Sequence, residues 1–293
     1  MSDIQKFGGD WTQEKLARVN KYLSAYTTAL KNQPFNLIYI DAFAGTGYRN
    51  LDTEDKNHQL FPDQLGEDAE AFHAGSAKIA LQTEPRFAEY YFIETDPAKC
   101  AELEKLKLEF PDKAKDIHIV CMDANTAIQN ACSRSWKKNS IRGVLFLDPF
   151  GMNVSWETIE AIAKTEAIDM WYLFPLGVGV NRLLKKDGNI SPSWKKKLDD
   201  IFGSQEWENL FYEKKVELTL FGEVEVTTKT SDFQQIADFF VKRMETIFAG
   251  VIKKPLPLCN SKNNPLYLLC FACGNKRGAG IALKIAGNIL KGA

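Results

Sequence analysis

The sequence predicts an α/β fold in which a mostly parallel β-sheet carries helices on both faces and ends in an antiparallel hairpin. Short apolar runs alternate with helical patterns, which is typical of parallel sheets. The last two strand-like runs, 251–258 and 265–273, are joined by the turn SKNNP, which indicates a hairpin. The chain has 293 residues and is 45% hydrophobic, so a single large domain over 1–293 can bury a substantial core.

The elements follow in a regular order. A helix is predicted over 11–32, because apolar residues recur at helical spacing from Leu16 to Tyr26 before Pro34 breaks the pattern. Five apolar runs are predicted as buried strands: 37–40, 90–93, 117–121, 144–147 and 170–174. Helices are predicted between the last four strands, over 97–110, 124–136 and 155–165.

Two segments interrupt this alternation. Residues 50–74 are polar and turn-rich, which predicts a loop inserted after the first strand. Residues 181–232 are charged with interspersed aromatic residues, and we predict a substrate-recognition insertion there. The chain then returns to a helix over 232–250, the hairpin, and a closing helix over 278–290.

Composition narrows the classes of function. The formal net charge of −1 does not favour nucleic-acid binding by the protein as a whole, so only local clusters of basic residues could support it. No stretch approaches the ~20 apolar residues of a membrane span, and the amino terminus lacks a signal-peptide core, so we expect a cytoplasmic protein without membrane contact. Six scattered cysteines predict reduced, buried thiols. Cys270 and Cys273 form a C-x-x-C without further ligands, so we expect core cysteines and no metal site.

Residues 38–49, IYIDAFAGTGYR, are the most informative stretch for function. An apolar strand ends in Asp41 and passes into the turn Gly45-Thr46-Gly47. Open α/β sheets bind ligands at the carboxyl ends of their strands, and glycines let the backbone approach a ligand closely. The pattern suits a nucleotide-like ligand, although many ordinary tight turns share the G-x-G spacing.

Three further strand ends carry acids at the same position. The second ends in Glu94 and Asp96, the third in Asp123, and the fourth in Asp148. Because parallel strands present their carboxyl ends at one edge, these acids should face one crevice, where clustering is costly unless a ligand offsets it. Asp96, directly before a proline, equally fits a helix N-cap. Four such acids in succession favour a binding site.

S-adenosylmethionine suits this arrangement. The glycine turn would accept its methionine part, and Glu94 or Asp96 its ribose hydroxyls; we favour Glu94, which ends the strand more directly. Asp123 would meet the adenine amine, with a backbone N–H from Ala124. A missing third glycine argues against NAD. The candidate cofactor-binding residues are Asp41, Phe43, Gly45, Gly47, Glu94, Asp96, Asp123 and Ala124.

The triplet Asp148-Pro149-Phe150 is the candidate catalytic group. Amino-directed methyltransferases use a D-P-P-Y type motif, in which the acid and a carbonyl hold the target amine and the aromatic ring stacks on the flipped base. Here the motif is D-P-F-G, so the aromatic residue comes one place early and Gly151 follows it. A strand end followed by a simple proline turn is the alternative.

These residues resemble the three-Cys-motif partner proteins, a methyltransferase-like group. The resemblance runs nearly the full length and includes WTQEKL, YIDAFAGTG, GSAKIAL, FIETD, LDPFG, FPLG with a following NR, and the closing YLLCFAC block. D-P-F-G is usual in that family. The resemblance implies a possible partner with three clustered cysteines, similar to radical-SAM-type enzymes. More distantly, YIDAFAGTG and the fourth-strand acid resemble ribosomal-RNA adenine N6 methyltransferases.

Two functional hypotheses follow. The first is methyl transfer from S-adenosylmethionine to an exocyclic base amine of DNA or RNA, adenine N6-like. It is supported by a basic cluster around Trp194 that suits a nucleic-acid backbone: Arg182, Lys185, Lys186, Lys195, Lys196 and Lys197. Asp187, Asp199 and Asp200 dilute this charge, so a solvated helix face is the favoured explanation of these residues. The second is a non-catalytic, or differently catalytic, nucleotide- or nucleic-acid-binding partner of the three-cysteine protein. A small-molecule or protein acceptor is a third possibility.

Overall fold

Five parallel strands form the centre of the sheet in the computed structural model, which describes residues 9–44, 75–149, 151–219, 222–260 and 262–292. All five predicted strands are confirmed, and each carboxyl end falls within one residue of its predicted position. The strands are β1 (Asn36–Asp41), β2 (Glu89–Glu94), β3 (Ile117–Cys121), β4 (Ile141–Leu147) and β5 (Ile168–Phe174). Every residue of β5 is buried, which explains why it is apolar almost without alternation.

Helices connect these strands much as predicted. The predicted helix over 97–110 is divided in two, and a further helix, α2, covers residues 75–82. In chain order the main-body helices are α1 (Gly9–Leu30), α2, α3 (Pro97–Leu103), α4 (Leu106–Glu109), α5 (Ala124–Cys132) and α6 (Trp156–Lys164). The segment predicted as a loop over 50–74 lies outside the described residues.

The strand order defines the fold. The sheet runs β3-β2-β1-β4-β5-β10-β8, and the additional strands are β8 (Gly250–Val251), β9 (Leu256–Cys259) and β10 (Pro265–Cys273). Strand β10 is antiparallel to both β5 and β8, and β9 pairs with β10 across the predicted hairpin turn. An antiparallel strand inserted beside β5 in an otherwise parallel sheet is the Rossmann-like class I methyltransferase arrangement, as predicted.

Two cores lie on opposite faces of this sheet, because successive strand residues point to opposite sides. The first core contains Ile38, Ile40 and Leu147 and is covered by α5, α6 and the helices that follow β5. The second contains Tyr39 and Phe146 and is covered by α1, α2 and α11 (Ala279–Leu290). Asp41 and Asp148 continue the second set of positions, so both belong to the face covered by α1 and α2.

The segment 181–232 holds short helices and a separate ribbon. It comprises α7 (Asn181–Leu183), α8 (Pro192–Phe202), α9 (Glu206–Phe211), β6 (Tyr212–Thr219) and β7 (Gly222–Lys229), after which α10 (Phe233–Glu245) begins. Among the strands that the structure describes, β6 and β7 pair only with each other. The base of this ribbon is held to the body because Tyr212 Oη donates to the Lys185 carbonyl at 2.8 Å and Lys229 N to the Lys186 carbonyl at 2.9 Å.

The cysteine prediction is wrong in part. Cys100, Cys270 and Cys273 are buried, but Cys121 is exposed, and Cys132 and Cys259 are half-buried. Cys270 lies in the first core and Cys273 in the second, so the two thiols of the C-x-x-C point to opposite faces of the sheet. Within the described ranges, no helix combines the length and apolarity required for a transmembrane span.

We expect Gly177→Ala to destabilise the protein. Gly177 lies in the π-helical segment Leu176–Val180 after β5, and an added Cβ would be 2.2 Å from the Pro265 carbonyl oxygen and 3.2 Å from Leu266 Cα. Since backbone atoms cannot rotate away, the overpacking should cost about 1–3 kcal/mol, measured as a lower denaturant midpoint. Gly280→Ala, whose added Cβ has no neighbour within 4 Å, is the control. Equal midpoints for Gly177→Ala and wild type would contradict this packing.

Candidate functional site

At the carboxyl edge of the sheet β1 ends before its two neighbours, and we call this step in the strand ends the notch. Asp41, the last residue of β1, is level with Phe92 of β2 and Phe146 of β4. Two more residues on each neighbour, a rise of about 6.6 Å, lead to Glu94 on one side and Asp148 on the other. The chain passes from β1 to β2 on one side of β1 and returns from β3 to β4 on the other side, so the strand order reverses at the notch. Doubly wound sheets bind ligands at this topological switch point.

Asp41 forms the floor of the notch and is completely buried. Its Oδ2 accepts a hydrogen bond from Ser76 Oγ at 2.7 Å, and its Oδ1 accepts one from the Phe43 backbone N–H at 3.3 Å. Both oxygens therefore hold protein groups, and the carboxylate joins the start of the glycine turn to α2. The sequence did not reveal the role of Ser76, although GSAKIAL is one of the motifs on which the family resemblance depends.

The backbone after Asp41 is tied to both walls of the notch. Ala42 N donates to a β4 carbonyl and Ala44 N to a β2 carbonyl, each at 3.0 Å. The Phe43 side chain between them is half-buried against the first core. These bonds fix the direction in which the chain enters the predicted glycine turn; Gly45 and Gly47 themselves lie outside the described residues.

Glu94 forms the β2 wall and is held in one orientation. Its side chain is 8% exposed. Oε1 accepts hydrogen bonds from Thr95 N at 2.7 Å, Asp96 N at 2.8 Å and Thr95 Oγ1 at 3.2 Å. Within the described part of the chain, all hydrogen bonds to this carboxylate end on Oε1. A carboxylate fixed in this way is a preorganised acceptor for hydroxyl groups.

Asp96 and Asp123 are both helix N-caps. Asp96 Oδ1 accepts from Ala98 N at 2.8 Å at the start of α3, and Asp123 Oδ1 accepts from Thr126 N at 3.0 Å at the start of α5. The N-cap alternative for Asp96 is thus confirmed, and it extends to Asp123 as well. Asp123 is exposed, and Ala124 beside it is buried. Asp96 therefore has a structural role at the start of α3.

The loop after β4 is anchored by Asn125, a residue whose role the sequence did not reveal. Asn125 Nδ2 donates to the Asn153 carbonyl at 2.7 Å, while its Oδ1 accepts from Ser155 N at 3.0 Å and Thr158 Oγ1 at 2.8 Å. These bonds connect the third strand end to residues 153–158. The D-P-F-G segment therefore lies between the end of β4 and a loop pinned to α5.

Asp148 forms the β4 wall, and Tyr267 lies near it. Asp148 and Pro149 are buried directly after β4, whereas Phe150 lies outside the described residues. Tyr267 precedes Leu268, which pairs with Phe174 at the end of β5, so it reaches the same edge of the sheet from β10. Burial and the charge of Asp148 together raise the pKa of Tyr267 well above its usual value. The proximity of this tyrosine depends on the β5–β10 pairing, which the local sequence does not show.

Two cavities among the described residues lie away from this notch. One of about 180 Å³ lies under α5 and is lined mostly by apolar residues, including Ile38 and Trp136. The other, of about 110 Å³, lies at the amino edge of the sheet near Tyr22, Arg142 and Asp169. Within the described ranges, no three His, Cys, Asp or Glu side chains converge as a metal site.

Comparison with known proteins returns solved structures only, since no family model and no curated sequence matches. Protein LPL1258 of Legionella pneumophila is 14% identical, covering 94% of this chain and 91% of its own, with a TM-score of 0.42. The plantazolicin methyltransferase BpumL, solved with SAH, is 11% identical, covering 90% and 84%, with a TM-score of 0.33. A spermidine synthase solved with the analogue AdoDATO is 10% identical, covering 95% and 75%, with a TM-score of 0.29. Similarities this low assign no activity, so the fold assignment rests on the strand order.

Proposed function

We propose that the chain is an S-adenosylmethionine-dependent methyltransferase that modifies an exocyclic base amine of DNA or RNA. The observation that carries the proposal is the notch above Asp41, with Glu94 and Asp148 on its two walls at the switch point of a class I methyltransferase sheet. The family resemblance to the three-Cys-motif partner proteins supports the same conclusion.

Glu94 would bind the cofactor's ribose. Its Oε1 is occupied by two backbone N–H groups, so the carboxylate can turn neither away from the notch nor toward bulk water. Oε2 would accept hydrogen bonds from the ribose hydroxyl groups without reorganisation. When bound, S-adenosylmethionine supplies an electrophilic methyl group. Asp41 contributes by fixing the backbone that leads into the glycine turn, not by direct contact with the ligand.

Asp148 would hold the acceptor amine. A buried carboxylate at the strand end can accept an N–H of the amine and so direct the nitrogen lone pair toward the methyl group. It can then take the proton that the nitrogen loses, as a general base. Asn125 keeps the following loop in place through its three hydrogen bonds, which makes it a positioning residue for this step.

The segment 181–232 supports a nucleic-acid acceptor through part of its basic cluster. Lys195 pairs with Glu208 at 2.8 Å, and Lys185 lies 4.8 Å over the Trp194 ring, so these two cations have protein partners. Lys196 and Lys197 are exposed on α8. Phosphate contacts by such lysines supply affinity without sequence specificity.

We expect the double change Lys196→Ala/Lys197→Ala to weaken nucleic-acid binding. Each lost phosphate contact should lower the slope of log affinity against log salt by about 1. The control is Lys137→Ala/Lys138→Ala, an adjacent exposed pair just before β4 at the opposite edge of the sheet. Fluorescence anisotropy with single-stranded and duplex oligonucleotides measures both. Equal salt slopes for the two double variants would contradict a role for α8.

One observation favours the alternative function, a non-catalytic partner of a three-cysteine radical-SAM-like protein. The ribbon formed by β6 and β7 exposes Val216 at 65% and Leu218 at 84%. An isolated two-stranded ribbon is at best marginally stable in water, and exposed apolar side chains on it suit a protein partner. Co-purification with such a protein, together with no cofactor affinity in isolation, would favour this alternative.

A methyl-transfer assay tests the proposed function. Protein is incubated with methyl-labelled S-adenosylmethionine and separate pools of single-stranded DNA, duplex DNA and RNA, and the products are digested to nucleosides. We expect label in a base-methylated nucleoside from one pool. Label in none of them, with S-adenosylhomocysteine still bound in calorimetry, would reject the nucleic-acid acceptor. Absence of calorimetric binding would reject the cofactor assignment.

A further inference from the structure

Two cysteines, Cys100 and Cys121, lie near each other at the carboxyl end of β2. Cys121 ends β3 and pairs in register with Glu94 of β2, while Cys100 lies in α3, directly above the same strand end. Cys100 Sγ donates to the Glu94 carbonyl at 3.5 Å, and Cys121 Sγ to the Thr95 carbonyl at 4.0 Å. The two carbonyls that accept these hydrogen bonds belong to consecutive residues, so both thiols lie at the same strand end. They are 21 positions apart in the sequence, so the pairing of β2 with β3 brings them together.

The two thiols differ in accessibility. Cys121 is exposed, whereas Cys100 is 8% exposed. Burial, followed by the neighbouring Cys121 thiol, raises the pKa of Cys100 to about 12. An oxidant from solvent therefore meets Cys121 first, and Cys100 is the nearby sulfur that can react with the product.

We propose that Cys121 and Cys100 form a thiol-oxidation site that closes to a disulfide in the presence of a peroxide. The Cys121 thiolate attacks one peroxide oxygen and the O–O bond breaks. The departing hydroxide takes up the proton that the Cys121 thiol released and leaves as water, while Cys121 becomes a sulfenic acid. The Cys100 sulfur then attacks the Cys121 sulfur. The S–S bond forms, the S–O bond breaks, and the hydroxyl leaves as a second water with the Cys100 proton. Two thiols are oxidised and one peroxide is reduced.

The disulfide alters the segment that orients Glu94. In the reduced protein both thiols donate to carbonyls of Glu94 and Thr95, and the N–H groups of Thr95 and Asp96 hold Glu94 Oε1. Oxidation removes both thiol hydrogens and draws α3 toward β3, to an S–S bond of about 2.05 Å. This consequence rests on the proposed function: oxidation should lower affinity for S-adenosylhomocysteine at least about tenfold, or 1.4 kcal/mol.

No other cysteine pair in the described residues has this arrangement. Cys270 and Cys273 lie on opposite faces of the sheet. Cys132 lines the cavity under α5, and burial alone raises its pKa to about 12. Cys259 is half-buried in β9 at the far side of the sheet. Oxidation should therefore be selective for one pair.

The test uses the full chain and hydrogen peroxide as the probe. Intact-mass analysis under non-reducing conditions should show a loss of about 2 Da, and peptide mapping should link the fragments containing Cys100 and Cys121. Reductant should reverse the change. Cys121→Ser should abolish it, and Cys132→Ser, the control, should leave it intact. Because Cys121 is exposed, its replacement should not disturb folding.

Two readouts separate this proposal from the proposed function. A linkage between other cysteines, or sulfinic acid at Cys121 without any linkage, would overturn the oxidation site whatever the protein binds. If the linkage forms but the reduced and oxidised proteins bind S-adenosylhomocysteine with the same affinity, the regulatory consequence is wrong. If the reduced protein does not bind S-adenosylhomocysteine at all, the proposed function fails while the linkage result stands.

Discussion

Glu94→Gln is expected to weaken S-adenosylhomocysteine binding about a hundredfold. A hydrogen bond to a charged group contributes about 1.5–3 kcal/mol, and the ribose offers two hydroxyl donors to this carboxylate. Glutamine keeps an acceptor oxygen for the backbone N–H groups of Thr95 and Asp96, so the loop should remain in place. It presents an NH₂ group where Oε2 lies, and this group cannot accept a hydrogen bond from a hydroxyl group. Isothermal titration calorimetry measures the affinity.

Glu89→Gln is the matched control for this change. Glu89 begins the same strand whose last residue is Glu94, so it lies at the amino edge of the sheet, away from the notch. The affinity of the Glu89→Gln variant for S-adenosylhomocysteine should equal that of wild type. Thermal denaturation of both variants checks that neither has unfolded. An affinity loss of equal size in both variants, or none in either, would remove Glu94 from the cofactor site.

The sheet could be predicted from the sequence because its central strands are buried on both faces. Such strands are apolar along their whole length, as in LIYI of β1 and VLFL of β4, and their limits are marked by the acids or loops that follow. The hairpin β9–β10 was equally readable from its turn. The split of 251–258 into β8 and β9 was not, because two residues suffice for β8 to pair with β10.

The sequence predicts which acids lie at the strand ends, but not the hydrogen bonds that these acids form. The sequence places Asp41, Glu94, Asp123 and Asp148 at strand ends without indicating which oxygens already have partners. Only the structure shows that Asp123 caps α5 and that Asp41 is held by Ser76, a residue 35 positions away. Tyr267 comes near Asp148 through the antiparallel pairing of β10 with β5, which no local pattern encodes.

Asp148→Asn is expected to lower the rate of methyl transfer by about 10²–10⁴-fold, the usual contribution of a positioned general base. Asparagine has nearly the same shape and can still accept an N–H of the amine through its oxygen. It cannot take the proton that the nitrogen loses, so the loss should fall on kcat more than on KM. S-adenosylhomocysteine affinity should stay close to that of wild type, because Glu94 on the other wall is unchanged.

Asp116→Asn supplies the control, since Asp116 lies just before β3 at the amino edge of the sheet. Tyr267→Phe tests the surroundings of Asp148 more gently: it removes only a phenolic hydroxyl near that carboxylate, and its effect on kcat should be smaller than that of Asp148→Asn. If Asp148→Asn retained full activity while Glu94→Gln lost cofactor binding, the notch would bind the cofactor as proposed, and the acceptor amine would have to be held by another group. Asp148 would then be a structural strand end, the proline-turn alternative.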